Sequence, residues 1–172
     1  MVNLLGSVII ILSCYLIGKS INLRYEYRIY DIENLLSVMK VFENEIRYNL
    51  NDIPCVINII YPHLNENNKL IFESFLKETS SPDKKALSQV WTNSVDENKK
   101  MLYYHDNDIK TIKDFGLVLG SGDANTQTKN IDCFIKALVD LLDNSRNEQT
   151  KKNKIYSKLS IYIALVIIVL II

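Results

Sequence analysis

Glycine and proline, the residues that interrupt helices, are few and unevenly placed in this chain. Three of the five glycines lie within residues 115–127, between long stretches that contain neither residue. Gly120 and Gly122 can adopt the left-handed backbone conformation that ends a helix, which predicts a helix end near Leu119. Asp123 carries a side-chain oxygen suited to capping the helix that follows. We therefore expect long helices that meet at a tight corner here.

Apolar residues recur at helical spacing between the two ends of the chain, and this recurrence predicts six helices. The first helix is expected over residues 21–50, with one apolar face formed by Ile32, Leu35, Met39, Phe42, Ile46 and Leu50. The later helices are expected to begin near Asp52, residues 65–68, Lys84, Ile109 and Asp123. The fourth of the six is expected to reach Met101 and Leu102. No segment shows the period-two alternation of a strand, so the sequence predicts an all-α bundle of about six helices.

Both ends of the chain are apolar, and each end predicts a transmembrane helix. Residues 2–18 would extend about 26 Å and residues 155–172 about 27 Å, close to the thickness of a bilayer's hydrocarbon core. The intervening residues 19–154 are expected to form a helical bundle domain with a single core. Two alternatives stay open, namely cleavage of the first segment as a leader and burial of the last segment as a core helix.

Positive charge lies on the inner side of each predicted span. The basic residues concerned are Lys19, Arg24, Arg28, Lys151, Lys152, Lys154 and Lys158, and no lysine or arginine lies beyond either span. The positive-inside rule therefore places the bundle domain in the cytoplasm and both termini on the far side of the cell membrane. Tyrosines near the spans suit an interfacial belt: Tyr25, Tyr27, Tyr30, Tyr156 and Tyr162.

No combination of residues predicts catalysis, a metal site or a cofactor site. His63 and His105 each lack a second ligand at metal-binding spacing. Glu43 and Glu45 stand two residues apart on one helix, so their carboxylates diverge and cannot share a substrate. The glycines of residues 115–127 lack the lysine and the preceding strand of a phosphate-binding loop.

The formal net charge of zero predicts no nucleic-acid surface. Cys55 and Cys133 are interpreted as reduced core residues, because a cytoplasmic compartment disfavours disulfides. Trp91 is expected in the core, and Phe115 is expected to lie under the sixth helix. The residues proposed for a partner surface are Glu43, Glu45, Arg47 and the turn at residues 121–123.

The sequence resembles the stage III sporulation protein AB family of endospore-forming bacteria over essentially its whole length. One motif runs from Phe42 to Tyr48 with a later proline, a second places Trp91 after an apolar residue, and the most specific lies at residues 115–127. The residues that carry these motifs are Glu43, Glu45, Tyr48, Pro54, Trp91, Phe115, Gly116, Gly120, Asp123 and Gln127. Ile29 and Val90 depart from residues common in the family, outside the third motif.

The resemblance implies a role in sporulation that the residue patterns alone do not reach. Family members belong to a membrane-spanning complex built between mother cell and forespore during engulfment. Their helical domain is similar to the cytoplasmic domains of platform proteins in type II secretion and type IV pilus systems. The implied partners are a secretion-type ATPase like stage III sporulation protein AA, other membrane subunits and further copies of the chain. The implied location is the outer forespore membrane on the mother-cell side.

Two function classes follow from these observations. The leading hypothesis is a non-enzymatic platform or adaptor subunit that couples the ATPase to membrane components and is required for sporulation. The alternative is a membrane-anchored enzyme or ligand-responsive regulator that uses the turn at residues 120–127. A simple coiled-coil scaffold is disfavoured, because the apolar pattern breaks at least four times.

Overall fold

The computed structural model describes the backbone of residues 2–81, 85–120 and 122–171. Side chains are described from residue 22 to residue 155, apart from 82–84, 121 and 124, and at 6, 13, 16, 19 and 20. Six α-helices occur in these parts: α1 (Val2–Tyr48), α2 (Ile53–Ile60), α3 (Glu66–Thr79), α4 (Leu87–Asn98), α5 (Asp106–Val118) and α6 (Ala124–Ile171). A short 3-10 helix, Tyr61–His63, follows α2. The described residues contain no strand, which confirms the predicted all-α class.

Several predicted helix boundaries differ from those of the structure. α1 ends at Tyr48 and not near Leu50, and α4 begins at Leu87 and not near Lys84. The helix predicted from residue 21 is part of α1, because the isolated glycines before it do not break the helix. α4 ends at Asn98, so Met101 and Leu102 lie beyond it. α5 begins earlier than predicted, at Asp106. The backbone N–H of His105 donates to the Asp108 carboxylate at 2.9 Å, and this capping contact sets the start of α5.

The described chain divides into two compact units. The larger unit, Tyr30–Asp143, is called the helical domain below. It contains the second half of α1, all of α2 to α5 and the first half of α6. The smaller unit, called the paired-helix unit, combines Met1–Ile29 with Asn144–Ile172.

The core of the helical domain contains the predicted apolar face of α1. Ile32, Leu35, Met39, Phe42 and Ile46 are all buried, as their helical spacing predicted. The last member of that predicted face is an exception, since Leu50 is 72 % exposed. α1 has already ended at Tyr48, so the helical period no longer determines where the Leu50 side chain points.

Polar contacts join the two long helices within the paired-helix unit. The Arg28 guanidinium pairs with the Glu148 carboxylate at 2.7 Å, and the Arg28 side chain is nearly buried. The Lys152 ammonium donates to the Tyr25 hydroxyl at 2.5 Å and lies 5.0 Å from the centre of that ring. Tyr25 is therefore held by a lysine contact.

No helix in the described part of the chain is both long and apolar enough to cross a membrane. The side chains of residues 156–171 and most of those at 2–18 lie outside the described residues. The two predicted spans and the predicted belt positions Tyr156 and Tyr162 fall largely or wholly there. Both spans stay predictions.

Candidate interaction surface

An aromatic cluster occupies the centre of the helical domain and includes two of the motif residues, Trp91 and Phe115. Trp91 is buried on α4, and its ring packs edge-on against Phe115 at 5.6 Å between ring centres. The indole N–H donates to the Ile112 carbonyl at 2.7 Å, so the one polar atom of this side chain is satisfied. Phe115 also stacks on Phe134 of α6 at 4.4 Å. The predicted core positions of Trp91 and Phe115 are confirmed.

Gly116 allows α4 and α5 to approach each other closely. A β-carbon at this position would lie 2.4 Å from Cδ1 of Trp91, which is far inside van der Waals contact. No other amino acid would fit without moving the indole ring. The motif residues Trp91, Phe115 and Gly116 thus form one packing unit.

The corner predicted between the fifth and sixth helices is present. Leu119 caps α5, and Gly120 and Gly122 have φ angles of 76° and 78°, in the left-handed region that favours glycine. The Asp123 carboxylate accepts the Thr126 backbone N–H at 2.9 Å, as expected of a residue that caps α6. Hydrogen bonds from Thr126 lower the pKa of Asp123, so this side chain is ionised at neutral pH. Residue 121 of the predicted contact turn lies outside the described residues.

An apolar groove of about 360 Å³ opens at the end of the domain where α1 ends and α6 begins. Ile46, Ile53 and Leu87 contribute aliphatic side chains to its lining. The motif residues Pro54 and Gln127 also line it, although 73 positions separate them in the sequence (127 minus 54). The groove brings together residues that the sequence did not predict to be neighbours, and we call it the end groove.

Charged and exposed side chains lie on the last turns of α1, just before the groove residues Leu50 and Asn51 in the sequence. Glu43 and Arg47, two residues of the predicted partner surface, form an ion pair one helical turn apart. Glu45 accepts the side-chain amides of Asn49 at 2.7 Å and Asn51 at 2.8 Å. Tyr48 is exposed.

Leu50 is the most unusual residue of the groove lining. Its φ angle of 52° makes it the one described residue other than glycine with positive φ. An L-amino acid in this conformation is disfavoured by about 1–2 kcal/mol, because its β-carbon crowds the following carbonyl oxygen. The strained backbone nevertheless holds a mostly exposed leucine side chain at the groove.

The sequence did not predict a buried polar network around Asp31 of α1. The Asp31 carboxylate accepts the side-chain amides of Asn65 at 2.7 Å and Asn67 at 2.9 Å. The Asn68 amide donates to the Asp31 backbone carbonyl at 2.9 Å, and the Tyr104 hydroxyl donates to Asn68 at 2.6 Å. The polar run at residues 65–68 was the visible signal, but it indicated only a helix start.

Burial controls the ionisation of this network. Desolvation raises the pKa of Asp31, and the amides of Asn67 and Asn65 partly oppose that rise. Burial also raises the pKa of Tyr104 well above its usual value, with a further contribution from the Asp31 charge. The pKa values of both acid groups are therefore raised by burial, inside a network whose partners are backbone groups and asparagine amides.

The described residues contain no group of three histidine, cysteine or acidic side chains that could hold a metal ion. His63 accepts the Asn34 amide through its backbone carbonyl at 2.9 Å. Cys55 and Cys133 are both free thiols, yet both are exposed. Their predicted place in the core was wrong, because each falls on the outer face of its helix, where no periodic apolar pattern includes it.

These features define a class of protein before any relative is considered. The domain is a helical module with a rigid aromatic centre and an apolar groove rimmed by charge, and its described residues offer no catalytic or metal-binding cluster. The chain belongs to the stage III sporulation protein AB family, whose family model matches residues 3–172. This confirms the family resemblance and assigns the chain a sporulation-related role in a family that is not described as enzymatic.

A solved structure of a protein described as stage III sporulation protein AB is similar in fold. The TM-score is 0.65 at 21 % identity, and the match covers 73 % of this chain and 98 % of that chain. At this identity the likeness shows a shared fold. No curated protein matches the sequence.

Proposed function

We propose that this protein is a membrane-anchored platform or adaptor subunit of the mother cell–forespore channel complex, without enzymatic activity of its own. It couples a cytoplasmic secretion-type ATPase, similar to stage III sporulation protein AA, to membrane-embedded subunits. The observation that carries the proposal is the end groove, which exposes apolar side chains on a domain assigned to a sporulation family. An exposed apolar surface rimmed by polar groups is typical of a protein-binding site.

The distribution of charge supports the proposed location. The lysines and arginines that border both apolar ends favour a cytoplasmic helical domain with both termini across the membrane. Membership of the sporulation family supports the outer forespore membrane, on the mother-cell side, as that membrane. The cytoplasmic part of the chain in this proposal comprises residues 19–154. Further copies of the chain in the same membrane are part of the proposed platform.

Co-purification of the full-length chain from sporulating cells tests the adaptor role. The tagged chain should retain the sporulation ATPase, and deletion of its gene should abolish heat-resistant spores. Normal spore counts after deletion, together with no retained ATPase, would refute the adaptor role.

Topology has its own test, which uses an engineered thiol. The exposed Lys100 is replaced by cysteine in a full-length variant whose three natural cysteines are serines. A membrane-impermeant maleimide should leave intact cells unlabelled and label the thiol after lysis. Labelling of intact cells would place the domain outside the cytoplasm.

The alternative function, a ligand-responsive regulator at residues 120–127, has one observation in its favour. Gln127 lines the end groove, which is large enough for a small molecule. However, the ionised Asp123 already accepts the Thr126 N–H at the start of α6, where an anionic ligand would bind. Calorimetric titration with nucleotides and phosphate should show no saturable binding, whereas micromolar binding would favour the regulator.

A further inference from the structure

We propose that the end groove binds a positively charged segment of a partner protein, which inserts an aliphatic or aromatic side chain against Leu50. The inference rests on the adaptor function proposed above, and it names the place and the chemistry of the contact. Shape, backbone strain and charge each contribute to it.

The shape of the groove suits an inserted side chain. Its aliphatic lining comes from three separate parts of the domain: Ile46 at the end of α1, Ile53 at the start of α2 and Leu87 at the start of α4. A volume of about 360 Å³ accommodates a large side chain together with part of its backbone. Burial of such a side chain removes apolar surface from water on both partners.

Backbone strain indicates that the exposure of Leu50 serves binding. A leucine at positive φ is disfavoured relative to glycine, and the folded domain gains little from a side chain that is 72 % exposed. Glycine at position 50 would remove both the backbone strain and the exposed apolar side chain. Glycine is also the residue found most often where a helix ends in this conformation. A partner that covers Leu50 would supply the missing apolar contact.

Charge around the groove selects a basic partner. Asp52 lines the groove at the capping position of α2, but its carboxylate makes no capping bond and no ion pair with any described residue. Glu45 contacts only the neutral amides of Asn49 and Asn51 among the described residues. The two basic residues that flank the groove segments in the sequence have acidic partners, since Arg47 pairs with Glu43 and Lys85 lies 3.6 Å from Glu78.

Asp123 is not part of this rim, because it lies outside the groove lining and the Lys129 charge already acts on it. The groove is therefore bordered by Asp52 of its lining and by Glu45, which bonds Asn51 of the lining, and neither carboxylate pairs with a basic residue among the described residues. Lysine or arginine on an incoming segment would complement this rim, and the anionic surface of a membrane would be repelled by it.

A second groove, between α5 and α6, also has one charged lining residue but lacks a strained and exposed leucine like Leu50. Its volume is about 390 Å³, its lining includes Phe115 and Cys133, and Asp114 is its one charged lining residue. No residue of its described lining has strained backbone. The end groove is accordingly the one to test.

Site-specific photo-crosslinking in sporulating cells tests the proposal with the full-length chain. A benzophenone amino acid replaces Leu50 in one strain and Met101 in a matched control strain. Met101 is 69 % exposed, close to the value for Leu50, but lies beyond the other end of α4. We expect a cross-linked product at position 50 at least tenfold stronger than at position 101. The partner peptide, mapped by mass spectrometry, should carry lysine or arginine beside an apolar residue.

Three results would overturn the proposal: equal or absent cross-linking at position 50, a captured peptide with net negative charge, or a captured peptide from a second copy of this chain. Neutralising the rim gives an independent measurement. The double change Glu45→Gln and Asp52→Asn keeps side-chain shapes and the capping preference at position 52. It should lower the capture of the partner by the benzophenone at position 50 by about three- to tenfold.

A matched double change at exposed acidic residues away from the groove, Glu97→Gln with Asp106→Asn, should leave capture unchanged. Equal capture by the two doubly neutralised variants would overturn the basic-partner assignment.

The results separate this inference from the adaptor function. Retention of the ATPase without cross-linking at position 50 would reject the groove and keep the adaptor. Cross-linking at position 50 to a basic protein, with no ATPase retained on co-purification and normal spore counts after deletion, would keep the groove and reject the proposed coupling.

Discussion

Replacement of Phe115 by alanine should destabilise the helical domain severely. The ring is 4 % exposed and contacts Trp91 and Phe42 edge-on and Phe134 face-on. Truncating a buried phenylalanine costs about 3–5 kcal/mol, which includes both lost transfer energy and the cavity left behind. We expect a value in the upper half of that range, because three aromatic contacts disappear together.

The chain contains a reporter for this experiment. Trp91 is the one tryptophan in the sequence and lies beside Phe115, so its fluorescence follows unfolding of the cluster. For a urea m-value of about 1.5 kcal/mol per M, a loss of about 4–5 kcal/mol should lower the unfolding midpoint of the purified chain by about 2.7–3.3 M. Leu117→Ala is the control on the same helix. Leu117 is 68 % exposed, so its midpoint should move by less than about 0.5 M. An unchanged midpoint for Phe115→Ala would show that the ring does not support the core.

Three further predictions use the same urea assay. Gly116→Ala should lower the free energy of unfolding by about 1–2 kcal/mol, because overpacking against Trp91 outweighs the gain in helix propensity; a more stable variant would mean that the indole ring moves freely. Leu50→Gly should leave the midpoint unchanged or raise it slightly, since relief of positive φ offsets the added freedom of the unfolded chain; a loss above about 1 kcal/mol would show that Leu50 stabilises the fold. Burial raises the pKa of Asp31, so the folded state favours its protonated form more than the unfolded chain does. Ionisation of Asp31 therefore lowers the free energy of unfolding. This loss appears as pH rises from below about 4, the pKa in the unfolded chain, through the raised pKa of the folded state. The stability of the natural chain minus that of Asp31→Asn should therefore fall over that pH window, and a constant difference would contradict the raised pKa.

Local chemistry explains why the corner between α5 and α6 could be predicted. Positive φ at Gly120 and the capping bond of Asp123 depend on residues a few positions apart. The buried face of α1 could be predicted equally well, because helical spacing fixes which side chains share a face. The same reasoning failed at Leu50, since the period has meaning only while the helix lasts.

Contacts between distant segments could not be predicted in the same way. Asp31 and Asn65 are 34 residues apart, and nothing in either segment indicates that the carboxylate and the amide meet. The end groove has the same origin, since Pro54 and Gln127 become neighbours only when α2 and α6 pack into one domain. Exposure of Cys55 and Cys133 likewise depends on which face of each helix the rest of the domain covers.

Leu87 connects the corner between α5 and α6 to the end groove. A β-carbon at Gly120 would lie 2.7 Å from Cδ1 of Leu87, and the same leucine lines the end groove. The close approach at Gly120 and the packing of Gly116 against Trp91 both fix α4 relative to α5, and so determine where Leu87 stands. Changes in the aromatic cluster should therefore reduce partner capture indirectly, through a displaced Leu87 and a smaller folded fraction. Neutralisation of Glu45 and Asp52 alters the rim without touching that packing, so it reports on recognition separately from folding.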